Sequence, residues 1–181
     1  MALVPVLGYV LKARTEEREG RAENVLAAVV PRTKFLAGYV IIAFVAAIVF
    51  QFVLGVSLYL SAVAVLPNPS EISLRMFLEI NLVFLPAVWL MIGVATFLVG
   101  VLPKATAAIW GYFGFIFLMV ILGRMPGLLP DWVVGLSPFE HMPQLPADEI
   151  NFLTLGIVTG IGVVLGIVGF VGYNRRDIRP N

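Results

Sequence analysis

The stretch Phe35–Leu60, FLAGYVIIAFVAAIVFQFVLGVSLYL, decides the fold class. It carries no charged side chain, and Gln51 is its one amide. About 20 helical residues cross a hydrocarbon core of about 30 Å. Lipid offers no partner to free backbone N–H and C=O groups, so such a run closes its hydrogen bonds within itself, as a helix. Three further runs of this kind follow, at 77–102, 105–123 and 150–173, and Glu79 is the only charge inside them. A membrane barrel would instead alternate polar and apolar residues over ~10-residue segments.

On the other side of the stretch, residues 1–13 are apolar but too short to span, and read as the end of a truncated span. Of the 181 residues, 60% are hydrophobic and 13% charged. Soluble domains run near half and a quarter. The expected fold is therefore an all-α integral membrane protein. It has four complete transmembrane helices (35–60, 77–102, 105–123, 150–173) plus the end of a fifth, within a single transmembrane domain over 1–181.

Composition excludes several classes. A net charge of +1 without a basic patch gives nucleic acid no purchase. With no cysteine there is no disulfide or thiol chemistry, and one histidine is too few for a closed zinc site. Neither Lys12, Lys34 nor Lys104 follows a glycine, so the phosphate-cradling G-x-x-x-x-G-K-[ST] loop is absent. No enzyme chemistry is expected of the chain, and no cofactor.

The charges sort along the sequence. If the connector after residue 13 is cytoplasmic, four spans bring the carboxyl end to the same side. Ten basic residues, from Lys12 and Arg14 to Lys104 and Arg179, then lie inside, and only Arg75 and Arg124 outside. That is the asymmetry the positive-inside rule requires. It places the chain in the inner membrane of a cell with connector and carboxyl end cytoplasmic, residues 124–149 as an outer loop with short interfacial helices, and Pro103-Lys104 as a tight inner turn.

The connector, RTEEREGRAENVLAAVVPRTK from Arg14 to Lys34, is the polar exception. Eight charged side chains fall between Lys12 and Glu23. Thr15 reads as a helix N-cap with Glu16 and Glu17 in the first turn, and Pro31 disfavours a helical Val30. The expected element is a helix over 15–30. At 100° per residue Glu16, Glu19 and Glu23 share one face, while Arg14, Arg18 and Arg21 lie opposite and run into Val25 and Val29. The basic and apolar face suits the lipid headgroups. The acidic face either meets a basic partner surface or is simply hydrated.

The run EEREGRAENVLA resembles the cytoplasmic connector of ABC-type exporter permeases, especially bacterial exporters of polyketide antibiotics and multidrug exporters. It carries Glu16 and Glu17, then Gly20, Arg21, Glu23, Leu26 and Ala27, with Arg32 before the next span. LPDWVVGLSPFEHMPQLPA resembles that family's outer loop between its last two spans, and RRDI its ending. The three pieces come in the family's order. The resemblance implies that 15–30 is a coupling helix seated on a separate ATP-binding subunit, contacting it through Glu16, Glu17, Glu19, Gly20, Arg21, Glu23 and Arg32. It implies ATP and Mg on that partner and none bound by this chain. It also implies a prokaryotic cell membrane, partnership with the remaining half of the permease or a second copy, and export of hydrophobic or amphipathic compounds such as antibiotics. The chain would be the C-terminal portion of such a permease. The alternative is a non-transporting scaffold or accessory subunit whose charged helix recruits a cytoplasmic protein.

Within the spans, Gly156/Gly160 and Gly162/Gly166 are small-xxx-small pairs that let helices approach closely. Gln51, Glu79 and Asn81 are the candidates for a polar pathway, since ionisable groups in lipid are costly. Glu79 also lies near enough to the outer boundary to reach water. Pro86 removes one backbone donor from the second span.

Overall fold

The computed structural model describes residues 3–19, 32–66, 72–122 and 129–175. Among them the regular structure is all helical: α1 (Leu3–Arg18), α2 (Arg32–Val65), α3 (Leu74–Leu82), α4 (Leu85–Val101), a 3-10 turn (Pro103–Ala105), α5 (Ala108–Leu122), the one-turn α6 (Asp131–Val134), a 3-10 turn (Pro138–His141) and α7 (Phe152–Arg175). Among the described residues three stretches are long and apolar enough to cross a membrane: Thr33–Val65, Leu74–Val101 and Phe152–Arg175.

Two span expectations change. The second span is broken. Pro86 has no N–H to offer the Leu82 carbonyl one turn back, and its ring crowds that carbonyl. Accordingly α3 ends at Leu82, Phe84 N–H closes a tighter turn onto Asn81 O (3.2 Å), and α4 restarts with Pro86 in its first turn, where no donor is needed. The third span is short. α5 has 15 residues, about 22 Å of rise, less than the ~30 Å core.

Local caps fix the other starts. Ser73 Oγ accepts from Met76 N–H at 3.2 Å to open α3. Asn151 Oδ1 accepts from Leu153 and Thr154 N–H at 3.0 and 3.2 Å to open α7. Each satisfies donors that the first turn leaves without a partner.

The connector differs from expectation at its start. α1 runs unbroken through Arg18, so Thr15 is not a cap but an interior residue whose hydroxyl reaches back to Leu11 O at 3.5 Å. A threonine hydroxyl can bond the carbonyl four residues earlier, so it need not end the preceding helix. The part of the 15–30 helix from Gly20 onward lies outside the described residues.

α4 is the central helix. In its stretch 61% of the most apolar window is buried, against 28% in α2 and 17% in α7. α1 packs on α2 and α4, and α2 packs on α3, α4 and α7. The buried stripe of α1 (Leu3, Val6, Leu7, Val10, Ala13) and that of α2 (Leu36, Val40, Ala43, Ala47) recur at three- and four-residue steps, the spacing of one helical face. Outward faces stay apolar, with Ile41 60% and Val164 59% exposed, as lipid permits.

The closest pairing is α4 with α7, and it is glycine on glycine. A Cβ on Gly93 would collide with the Gly162 carbonyl, and one on Gly100 with the Gly169 carbonyl. Both pairs are seven residues apart, two helical turns, so each helix presents bare backbone twice along one stripe. The numbers rise together, so α4 and α7 run parallel. The turn at Pro103–Ala105 is as short as the sequence indicates, yet α5 leaves α4, and α7 takes the place beside it.

Candidate functional site

The connector end of the bundle carries the site. α4 and α7 are parallel and end together, which brings the turn with Lys104 level with Arg175. Lys12, Arg14 and Thr15 of α1 face Thr106 and Trp110 across a cleft of about 420 Å³, so they lie at the same end. The far end of α2 meets α3, with Tyr59 and Phe77 rings 6.0 Å apart, so Lys34 at the start of α2 also belongs to the connector end. Arg75, at the start of α3, lies at the opposite end. The bundle thus holds its described basic residues at one end, except Arg75.

The expected coupling residues divide. Glu17 is 3% exposed, at the next step of the α1 stripe after Ala13. Arg14 Nη1 donates to Glu17 Oε2 at 2.9 Å. Glu17 is therefore turned into the bundle rather than toward a partner. A carboxylate this buried needs its neighbour's charge and hydrogen bond. Glu16 is half-buried and Glu19 exposed. Arg32 is the first residue of α2. Gly20, Arg21 and Glu23 lie outside the described residues.

No hydrogen bond joins the expected pathway residues to one another among the described residues. Glu79 is exposed on α3 and accepts from Arg75 Nε at 2.7 Å. Asn81 donates to Phe77 O at 2.8 Å on its own helix. Gln51 is 7% exposed on the buried stripe of α2. Thr96, Thr159 and Ser61 each donate to the carbonyl four residues back at 2.8 Å. These hydroxyls spend their protons on their own helices and line no shared polar path.

The expected glycine pairs also divide. Gly162 packs, with a built Cβ 2.8 Å from Leu90 Cα, whereas Gly156, Gly160 and Gly166 would meet nothing within 4 Å. Gly166 instead helps line a cleft of about 180 Å³ with Phe44, Thr96 and Phe170. Sequence reading missed Gly93, Gly100 and Gly169. The signal was present as two seven-residue glycine spacings, one on each helix.

Residues 129–149 pack against the α3–α4 joint and against α5. Phe139 stacks on Phe84 at the α3–α4 joint with centroids 6.3 Å apart. Tyr112 of α5 donates to Leu136 O at 3.0 Å, and His141 Nε2 lies 2.8 Å from Gly135 O. His141 holds the loop to itself, and no cluster of metal-binding side chains occurs among the described residues.

Long apolar helices, inward-facing backbone contacts and charges gathered at one end define a polytopic α-helical membrane protein. The chain belongs to the family described as multidrug efflux system permease Rv1217c, C-terminal domain, which matches residues 1–174. It is similar to the multidrug efflux system permease protein Rv1217c of Mycobacterium tuberculosis (strain ATCC 25618 / H37Rv), with 30% identity over 169 residues. That alignment covers 93% of this chain and 30% of the relative, so the chain spans about a third of that protein's length. The resemblance to an exporter permease is borne out, including its place in the C-terminal portion of an efflux permease.

Proposed function

We propose that the chain is the C-terminal membrane portion of an ATP-driven exporter of hydrophobic or amphipathic compounds, coupled to a separate subunit that binds ATP and Mg. The observation that carries this reading is the continuity of α1. One rod runs from the buried stripe at Leu3–Ala13 into the charged connector, with Glu17 locked to Arg14 at the junction. A push on the connector then reaches α2 and α4 as movement of a stiff helix, and α4 carries α7 with it through the glycine contacts. Glu16, Glu19, Gly20, Arg21, Glu23 and Arg32 form the docking set, and Glu17 transmits from inside.

The parallel course of α4 and α7 supports a reading with four crossings. On this reading the chain between them returns across the bilayer, and the apolar run 105–123 that holds α5 is the stretch for that return. The gathering of basic residues supports a cytoplasmic connector end. Fixed charges are scarce in the spans, which suits lipophilic cargo rather than ions.

The test uses the chain with the remaining permease segments and its ATP-hydrolysing partner in proteoliposomes. Lipophilic drugs are expected to raise the ATPase rate, and changing Glu16, Glu19 and Glu23 together to lysine is expected to abolish co-purification of the partner while membrane insertion persists. Association that survives the charge reversal refutes docking through the acidic face. An ATPase rate indifferent to every drug, with association intact, assigns the chain to a recruiting scaffold instead.

A further inference from the structure

We propose that the groove between α1 and α5 binds an anionic phospholipid from the leaflet at the connector end. This rests on the bundle lying in a membrane and not on the coupling reading.

Two cavities lie along the groove and differ in chemistry. The one at the connector end, about 420 Å³, is bounded by Leu11, Lys12 and Thr15 of α1 and by Thr106, Ala107 and Trp110 at the start of α5. Arg14 also reaches it but is drawn to Glu17 at 2.9 Å. Among the described residues the ammonium of Lys12 is therefore the cation the cleft presents, and among them no acidic side chain lines it. Trp110 is 41% exposed and is the kind of side chain that settles at headgroup level.

Further along the same two helices a cavity of about 250 Å³ is bounded by Leu3 of α1 and by Phe113, Phe117 and Val120 of α5, closed by Phe139. From Trp110 to Val120 the helix rises about 15 Å, half the ~30 Å hydrocarbon core and so the depth of one leaflet. A cationic, aromatic mouth and an apolar cavity further along the same two helices are complementary to one amphiphile, an anionic headgroup with its acyl chain. Basic pockets between transmembrane helices take such headgroups. The groove stays open because α5 buries little, only Ile109, Ile116 and Met119.

The experiment makes Trp110 the sole reporter, by Trp89→Phe and Trp132→Phe. The protein is reconstituted in phosphatidylcholine vesicles carrying either brominated phosphatidylglycerol or brominated phosphatidylcholine at equal mole fraction. Bromine quenching of Trp110 is expected to show about a fivefold preference for the anionic lipid, what one lysine near the headgroups provides. Lys12→Gln is expected to abolish the preference and Lys12→Arg to keep it. Ala107→Leu, which narrows the mouth without altering charge, is expected to weaken quenching by both lipids. Helical circular dichroism checks each variant, and the filled variant keeps the question decidable if Lys12→Gln does not fold. Equal quenching by the two lipids, or a preference surviving Lys12→Gln, overturns the proposal. So does relief of quenching by millimolar inorganic phosphate, which assigns the mouth to a soluble ion, or by a lipophilic drug equally in both lipids, which assigns the apolar cavity to cargo.

Discussion

Replacing Gly162 by alanine tests the packing on which the bundle depends. The added Cβ would stand 2.8 Å from Leu90 Cα and 3.1 Å from Leu90 N, backbone atoms that cannot rotate aside. Carbon atoms prefer 3.5–4.0 Å, so α4 and α7 must part locally by about 0.7 Å. Prising apart a well-packed contact costs typically 1–3 kcal/mol. Gly166→Ala, four residues on, is the control. Its Cβ meets nothing within 4 Å, and alanine is the better helix former by roughly 0.5–1 kcal/mol. The two identical chemical changes on one helix share that gain and should therefore differ by about 1–3 kcal/mol, the packing cost alone, with Gly162→Ala the destabilising one and Gly166→Ala neutral or stabilising. Equilibrium unfolding in mixed micelles with rising SDS, followed by circular dichroism, measures both. Equal shifts in the two variants would show that the glycine contacts do not hold α4 to α7.

Glu17→Ala is expected to destabilise by about 1–3 kcal/mol, since it strands the Arg14 guanidinium in a largely buried place. Glu17→Leu with Arg14→Met should recover most of the loss, and the same unfolding assay reads both; a double variant no better than the single one refutes the pairing. Glu79→Gln should change stability by less than about 0.5 kcal/mol, because its pair with Arg75 is exposed. It should also leave drug-stimulated ATPase of the assembled exporter unchanged, and a large loss of that stimulation would return Glu79 to the pathway.

Family and class were legible for different reasons. The apolar runs reveal the membrane because their length must match a hydrocarbon thickness, a one-dimensional constraint. The connector reveals the family because its charges sit in a fixed order around Gly20 and Arg21. The errors came where a local rule competed with packing. Thr15 satisfies the preference for an N-cap, yet the helix continues through it, because its hydroxyl finds a carbonyl within the turn. The small-xxx-small rule selected Gly156/Gly160, which face open space, and passed over Gly93 and Gly100. Pro86 was flagged, but the sequence could not show that its effect falls three residues earlier, at Val83–Phe84, where the Phe84 ring then anchors the outer loop.

By itself, then, the sequence determined the solvent this chain lives in, the approximate placement of its helices and which end carries the positive charge. Each of these follows from residue composition along a line. The tertiary structure decided that α7, not α5, lies beside α4, that Glu17 faces inward while Glu19 faces out, and that Lys12 and Trp110 share a cleft. Those outcomes depend on which surfaces fit closely enough to exclude lipid, and close fit between two helices belongs to the pair rather than to either sequence alone.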